Sequence, residues 1–144
     1  MKDLKYLMSY SIAFMAFLGI SIGGFYNYLA VIYTFVFIPV LEVLVKRSDE
    51  KYTEQEKANR LLDPFFDILL YLNIPIVFGI FFFSLDKLIL TTSISDIVGI
   101  ILSASIVMAT NGINVGHELG HRRSLFARTC SKLLYLPCQY MHFY

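Results

Sequence analysis

ISDIVGIILSASIVMATNGINVGHELGHRR, residues 94–123, begins as an almost uninterrupted apolar run and ends on two histidines and a carboxylate. About 20 apolar residues in helical form cross the hydrocarbon core of a bilayer, so the run up to Gly116 reads as a membrane span. Ser93 and Asp96 supply the N-cap and first-turn acid that open a helix there. At the other end, His117 and His121 lie four apart. On a helix that spacing puts them on one face, one turn apart, where two imidazoles can reach one metal ion. Ionisable groups at a membrane boundary are costly to keep, so the pair is a functional signal. The polar residues Asn111, Asn114, Glu118 and His121 fall at i, i+3, i+7 and i+10. They are expected to form one polar stripe, with His117 beside it, facing protein or water rather than lipid.

The rest of the chain supports a membrane setting. Of its 144 residues, 57% are hydrophobic and 16% are charged, with a mean hydropathy of +0.63. Soluble domains run at roughly 45–50% apolar and about 25% charged. A net charge of +1 gives no basic footprint for nucleic acid. There is no Trp, but ten Tyr and thirteen Phe can form an interfacial aromatic belt. Met1 to Lys5 leads straight into a span-length segment, without the pattern of a cleaved leader.

Four segments reach spanning length. The first covers residues 6–23 and ends at Gly23-Gly24; residues 25–28 make an uncharged aromatic turn. The second covers residues 28–45, with Pro39 expected to kink it and Glu42 near its far end as an interface-facing carboxylate. Residues 46–63 are a charged, water-exposed loop. Asp63 and Pro64 form an N-cap and first-position proline opening the third span, which is expected to end near Ser84. Pro75 is a second expected kink, and Asp67 complements the helix dipole. Residues 85–93 read as a loop, and residues 94–116 as the fourth span.

With a cytoplasmic N-terminus, Lys2, Lys5, Lys46, Arg47, Lys51, Lys57, Arg60, Arg122, Arg123, Arg128 and Lys132 all fall inside and only Lys87 outside. This asymmetry satisfies the positive-inside rule and places His117 and His121 at the cytoplasmic surface. A straight helix from His121 to His142 would rise about 31 Å and carry His142 to the opposite face. Arg128 and Lys132 interrupt that run, so an interfacial or re-entrant helix is expected instead. Cys130 and Cys138, about 12 Å apart by helical rise, are too distant for a disulfide and read as free thiols. The fold class is all-α: a polytopic membrane protein of about four transmembrane helices plus a C-terminal interfacial or re-entrant helix.

Three chemistries suit the histidine pair. It can belong to an inter-helix hydrogen-bonding face without metal. It can bind zinc in a His-Glu-x-x-His motif, with Glu118 as the general base of an intramembrane peptidase; that needs a further Asp or His ligand, and no Asn-Pro-x-x-x-Asp type segment follows. It can also be one of several histidine boxes that together hold two irons. Neutral imidazole suits iron as well as zinc, so ligand type does not choose.

The string Asn111-Gly112-Ile113-Asn114-Val115-Gly116-His117-Glu118-Leu119-Gly120-His121-Arg122-Arg123, then Ser131 to Pro137, then Tyr140-Met141-His142-Phe143-Tyr144, resembles the membrane-bound alkane monooxygenases of the fatty acid desaturase and hydroxylase superfamily. Phe37 to Glu42 and Ala58-Asn59-Arg60 resemble the same family upstream. The resemblance implies a non-haem site of two iron ions that inserts one oxygen atom from O₂ into the terminal C–H bond of an alkane or similar apolar substrate. It implies His117 and His121 as metal ligands and His142 as a further candidate, with Glu118 and Asn114 orienting the ligands from outside the ligand set. It also implies a rubredoxin-type electron donor, membrane lipid as surroundings and a bacterial inner membrane; an oligomer is compatible with it.

The family pattern continues with a second histidine box immediately beyond Tyr144 and a third further on. His117, His121 and His142 are the only histidines here, and two irons need more ligands. The expectation is therefore of a single N-terminal portion of such a hydroxylase, residues 1–144, inactive by itself. A non-enzymatic membrane subunit is the remaining alternative.

Overall fold

A computed structural model describes residues 7–45 and 64–143, and every regular element among them is helical. A short 3₁₀ turn leads into α1 (Ser11–Ile22). Gly23 and Gly24 follow with φ of 82° and 59°, a left-handed conformation that glycine adopts without steric cost. They reverse the chain into α2 (Gly24–Leu44). This helix opens as a 3₁₀ turn, becomes α-helical, and widens to a π-helical stretch at Tyr33–Phe37. The last α-helical part, Ile38–Leu44, carries Pro39 at its start, directly after the wide turn. Pro39 has no N–H to donate and crowds the carbonyl four residues back, and a widened turn is where such a ring fits. Glu42 is exposed near the end of α2. The charged segment 46–63, including the Asp63 cap, lies outside the described residues.

The third helix, α3 (Pro64–Leu90), contains Pro75 within an unbroken run and extends six residues beyond the expected end at Ser84. Asp86 and Lys87 suggest a loop in the sequence but belong to its last turns, leaving Thr91–Ser93 as the connection. In α4 (Ile94–Gly120), Ser93 caps the start by accepting from the Asp96 amide, as the sequence indicates. A π-helical stretch, Met108–Ile113, interrupts α4 before its last α-helical part, Asn114–Gly120. The chain then turns at residues 121–124 into α5 (Leu125–Tyr135).

Among the described residues, three helices are long and apolar enough to cross a membrane: α2, residues Phe65–Leu90 of α3, and α4. The first apolar helix, Leu7–Ile22, is shorter. Small residues let the helices approach closely, as they do in membrane bundles: Ala13, Ala16 and Ala30 pack with Ile80 and Val107 in one cluster. Large apolar side chains such as Phe14, Phe35, Val43, Ile89 and Ile101 remain exposed. So much exposed apolar surface fits lipid rather than water.

The helix ends fall into two groups. At one end, Asn27 of the first turn donates to Asp96 at 3.0 Å, and the Tyr28 hydroxyl donates to the Ser95 carbonyl at 2.8 Å. At the other end, Asn111 donates to Asn73 at 2.8 Å, and Arg122 pairs with Asp67. The histidines belong to this second end.

From there α5 folds back antiparallel along α4. Ser131 donates to the Gly116 carbonyl at 2.6 Å, and further along Cys138 Sγ lies 3.5 Å from the Met108 carbonyl oxygen. Ala127, Cys130, Ser131, Leu134 and Tyr135 are buried, whereas Arg128 and Lys132 are exposed. That is the one-faced pattern of an amphipathic helix. Gln139, with a φ of 52°, lies in the turn that follows. Both thiols are free, as expected, and burial raises their pKa values, which leaves them weak nucleophiles.

Candidate metal centre

His117 and His121 occupy the last turn of α4 and the residue just beyond it. Both are exposed. Their Nε2 atoms stand 3.1 Å apart, and the rings meet nearly at right angles, 89° between planes with centroids 4.5 Å apart. Two nitrogens bound to one ion at about 2.0–2.1 Å, with angles from 90° to tetrahedral, stand about 2.9–3.4 Å apart. The pair therefore has the separation that one shared ion requires. Without an ion, the same distance accommodates a hydrogen bond from one Nε2–H to the unprotonated Nε2 of the other ring. The last carbonyls of α4 add negative potential, which favours a cation near this terminus.

Along the helix before the pair, Asn111 and Glu118 of the expected polar stripe line one cavity, at different depths. Asn111 is buried, while Asn114, Glu118 and His121 are exposed. Asn111 points into the bundle, where Nδ2 donates to Asn73 Oδ1 at 2.8 Å and its own Oδ1 accepts from Thr110 at 2.9 Å. Asn73 closes this network by donating to the Leu69 carbonyl at 2.8 Å. Buried polar groups in an apolar bundle are costly unless paired, so these bonds hold α3 and α4 together beside the histidine end.

Glu118 lines a cavity of about 500 Å³ between α1, α3 and α4, with Asn73, Asn111 and Arg122 on its polar side and Leu69 and Val115 among its apolar walls. The histidines are not part of that lining. Among the described residues, no hydrogen bond joins the Glu118 or Asn114 side chain to either imidazole. Arg122 reaches back to Asp67 in the first turn of α3. The pair is partly exposed, and such pairs contribute at most about 1 kcal/mol, but it ties the residue after His121 to a second helix. In the sequence, Asp67 reads as a complement to the helix dipole or as part of a proton or substrate path; an ion pair between residues 55 apart leaves no local signal.

His142 is exposed in a short 3₁₀ turn, Met141–Phe143. It packs edge-on against Tyr140, which in turn lies near Tyr135, the residue facing Gly116. This ring sequence leads from α5 to His142 without adding it to the pair. Among the described residues, no group of three His, Cys, Asp or Glu side chains could hold a metal ion. His117 and His121 have the spacing of two ligands to one ion, and they do not by themselves make a two-iron centre.

Comparison with family models, with curated proteins and with solved structures found no match.

Proposed function

We propose that this chain supplies the first histidine pair of a membrane-bound non-haem di-iron hydroxylase of the alkane monooxygenase type, with the other ligands contributed from outside these 144 residues. The 3.1 Å separation of the two Nε2 atoms at the end of a span-length apolar helix carries the reading. The iron centre, when bound, supplies O₂ activation and oxidation of a terminal C–H bond. The protein's part is to hold both imidazoles with Nε2 unprotonated, to fix the helix end through Arg122 and Asp67, and to admit an apolar substrate from lipid. An apolar groove of about 410 Å³ between α1 and α3, lined by Phe14, Phe17, Ile76, Gly79 and Phe83 among others, offers surface for a hydrocarbon chain. Arg122 and Arg123 favour docking of an acidic rubredoxin-type electron donor beside the histidines. The test is O₂-dependent formation of a terminal alcohol by a protein joining this chain to the remaining histidine boxes.

The same reading includes a bacterial inner-membrane location, both termini cytoplasmic and the first apolar helix as a fourth span. The sequence asymmetry of Lys and Arg and the grouping of helix ends support it. In a Cys-free background, an impermeant thiol reagent added from outside should label Thr92→Cys and spare Glu54→Cys. Labelling of Glu54→Cys alone would invert the orientation.

A further inference from the structure

The end of the bundle opposite the histidines holds a second polar site. A cavity of about 210 Å³ lies between the α1–α2 turn and the α3–α4 connection, with Asn27, Lys87, Thr91 and Asp96 on its polar side and Ile22 and Leu90 among its apolar walls. Asn27 is 1% exposed. Its amide nitrogen donates to Asp96, while its Oδ1 is buried without a hydrogen-bond partner. An unpaired buried acceptor costs about 1–3 kcal/mol, and this one is held firmly. The Asn27 carbonyl accepts from Ser103 at 2.5 Å, and Gly99 lies so close that an added Cβ would stand 2.7 Å from Asn27 Cβ. The site therefore keeps an oriented acceptor beside a carboxylate.

These two acceptors call for a donor that carries positive charge. A divalent metal needs six or more oxygen ligands as calcium, or near-octahedral geometry as magnesium, and Lys87 on the same wall opposes it. A primary ammonium needs fewer partners and donates three N–H bonds. Lys87 does not fill that role here: its Nζ lies over the Phe83 ring, 5.5 Å from the centroid, and among the described residues it makes no ion pair with Asp96. It stands as a cation beside an acceptor pair, complementary to a zwitterion with an ammonium at one end and a phosphate at the other. Ile22 and Leu90 are 56% and 73% exposed and give the site an apolar edge at the depth where a span meets water.

We propose that this cavity binds the headgroup of a primary-amine phospholipid, the ammonium on Asn27 Oδ1 and the Asp96 carboxylate, the phosphodiester beside Lys87, and the acyl chains along Ile22 and Leu90. The site is independent of the histidine pair.

Lipid titration of the purified protein, followed by native mass spectrometry and thermal unfolding in detergent, tests it. Phosphatidylethanolamine should bind about tenfold more tightly than phosphatidylcholine of the same chains, since the quaternary headgroup has no N–H to donate. Asp96→Asn should reduce that preference to about twofold or less. Lys87→Gln should weaken both lipids and leave their ratio intact. Free phosphoethanolamine, which has the headgroup without chains, should bind far more weakly than the lipid.

Equal affinity for phosphatidylethanolamine, phosphatidylcholine and phosphatidylglycerol would overturn the proposal. So would tighter amine-lipid binding in Lys87→Gln, which would mean that the lysine itself fills the site. Free phosphoethanolamine matching the lipid would overturn the lipid assignment. Should Asp96→Asn unfold, the phosphatidylcholine comparison and Lys87→Gln still decide the matter with folded protein.

Discussion

His117→Ala and His121→Ala, each placed in a protein that joins this chain to the remaining histidine boxes, are expected to lower alkane hydroxylation by more than about a hundredfold, since even loss of a ligand's outer hydrogen-bond partner costs 10–100-fold. The fold should not change. Both rings are exposed at the end of α4, and substitutions at such positions usually alter stability by less than about 0.5 kcal/mol. Loss of activity with an unchanged unfolding midpoint therefore separates a ligand role from a structural one. Iron content measured on the same samples should fall with activity. If either variant kept wild-type hydroxylation and iron, the pair would not be part of the metal site.

Gly19→Ala is expected to produce the largest loss of stability. A Cβ at residue 19 would stand 2.2 Å from the Tyr26 carbonyl oxygen and 3.0 Å from Leu29 Cβ. The first neighbour is backbone, fixed by the reversal at Gly23 and Gly24, so it cannot swing aside. Alanine is the better helix former by up to about 1 kcal/mol, but overpacking typically costs 1–3 kcal/mol and sometimes more, so the clash decides the sign. Gly79→Ala is the matched control: apart from its chain neighbours and the nearby backbone of its own helix, no atom lies within 4 Å of its added Cβ, and helix propensity alone makes it neutral or slightly stabilising. Reversible unfolding in mixed detergent should rank Gly79→Ala at or above the wild type and Gly19→Ala well below it. Equal stability of the two variants would refute the close approach of α1 and the following turn.

Those contrasting glycines also show what sequence can reveal. The helical class, the second, third and fourth apolar segments, the Ser93 cap and the Gly23-Gly24 reversal are legible because each depends on neighbouring residues. The boundary near Ser84 is misplaced because Asp86 and Lys87 resemble a loop. In the structure they stand on the last turns of α3, where charge can reach water while Leu88, Ile89 and Leu90 continue the helix. The π-helical stretch at Met108–Ile113 has no comparable local signal.

At the site, the i, i+4 spacing is sufficient to bring His117 and His121 together. The Asn73–Asn111 bond, the Arg122–Asp67 pair and the Asn27–Asp96 contact join residues 38, 55 and 69 positions apart. Each depends on helix packing that no local pattern encodes. Asn73 within an apolar helix and Asn27 in an otherwise aromatic turn are the hints that sequence provides, since an uncharged polar side chain in such surroundings needs a partner.

The most direct measurement is product formation by the joined protein in membranes or lipid discs, with ferrous iron, O₂, an alkane and a reduced rubredoxin-type donor. The expected result is the terminal alcohol in step with O₂ uptake, absent without donor and absent in His117→Ala. The contradicting result is no oxygen uptake with any donor, together with zinc-dependent cleavage of a transmembrane peptide that disappears in Glu118→Gln.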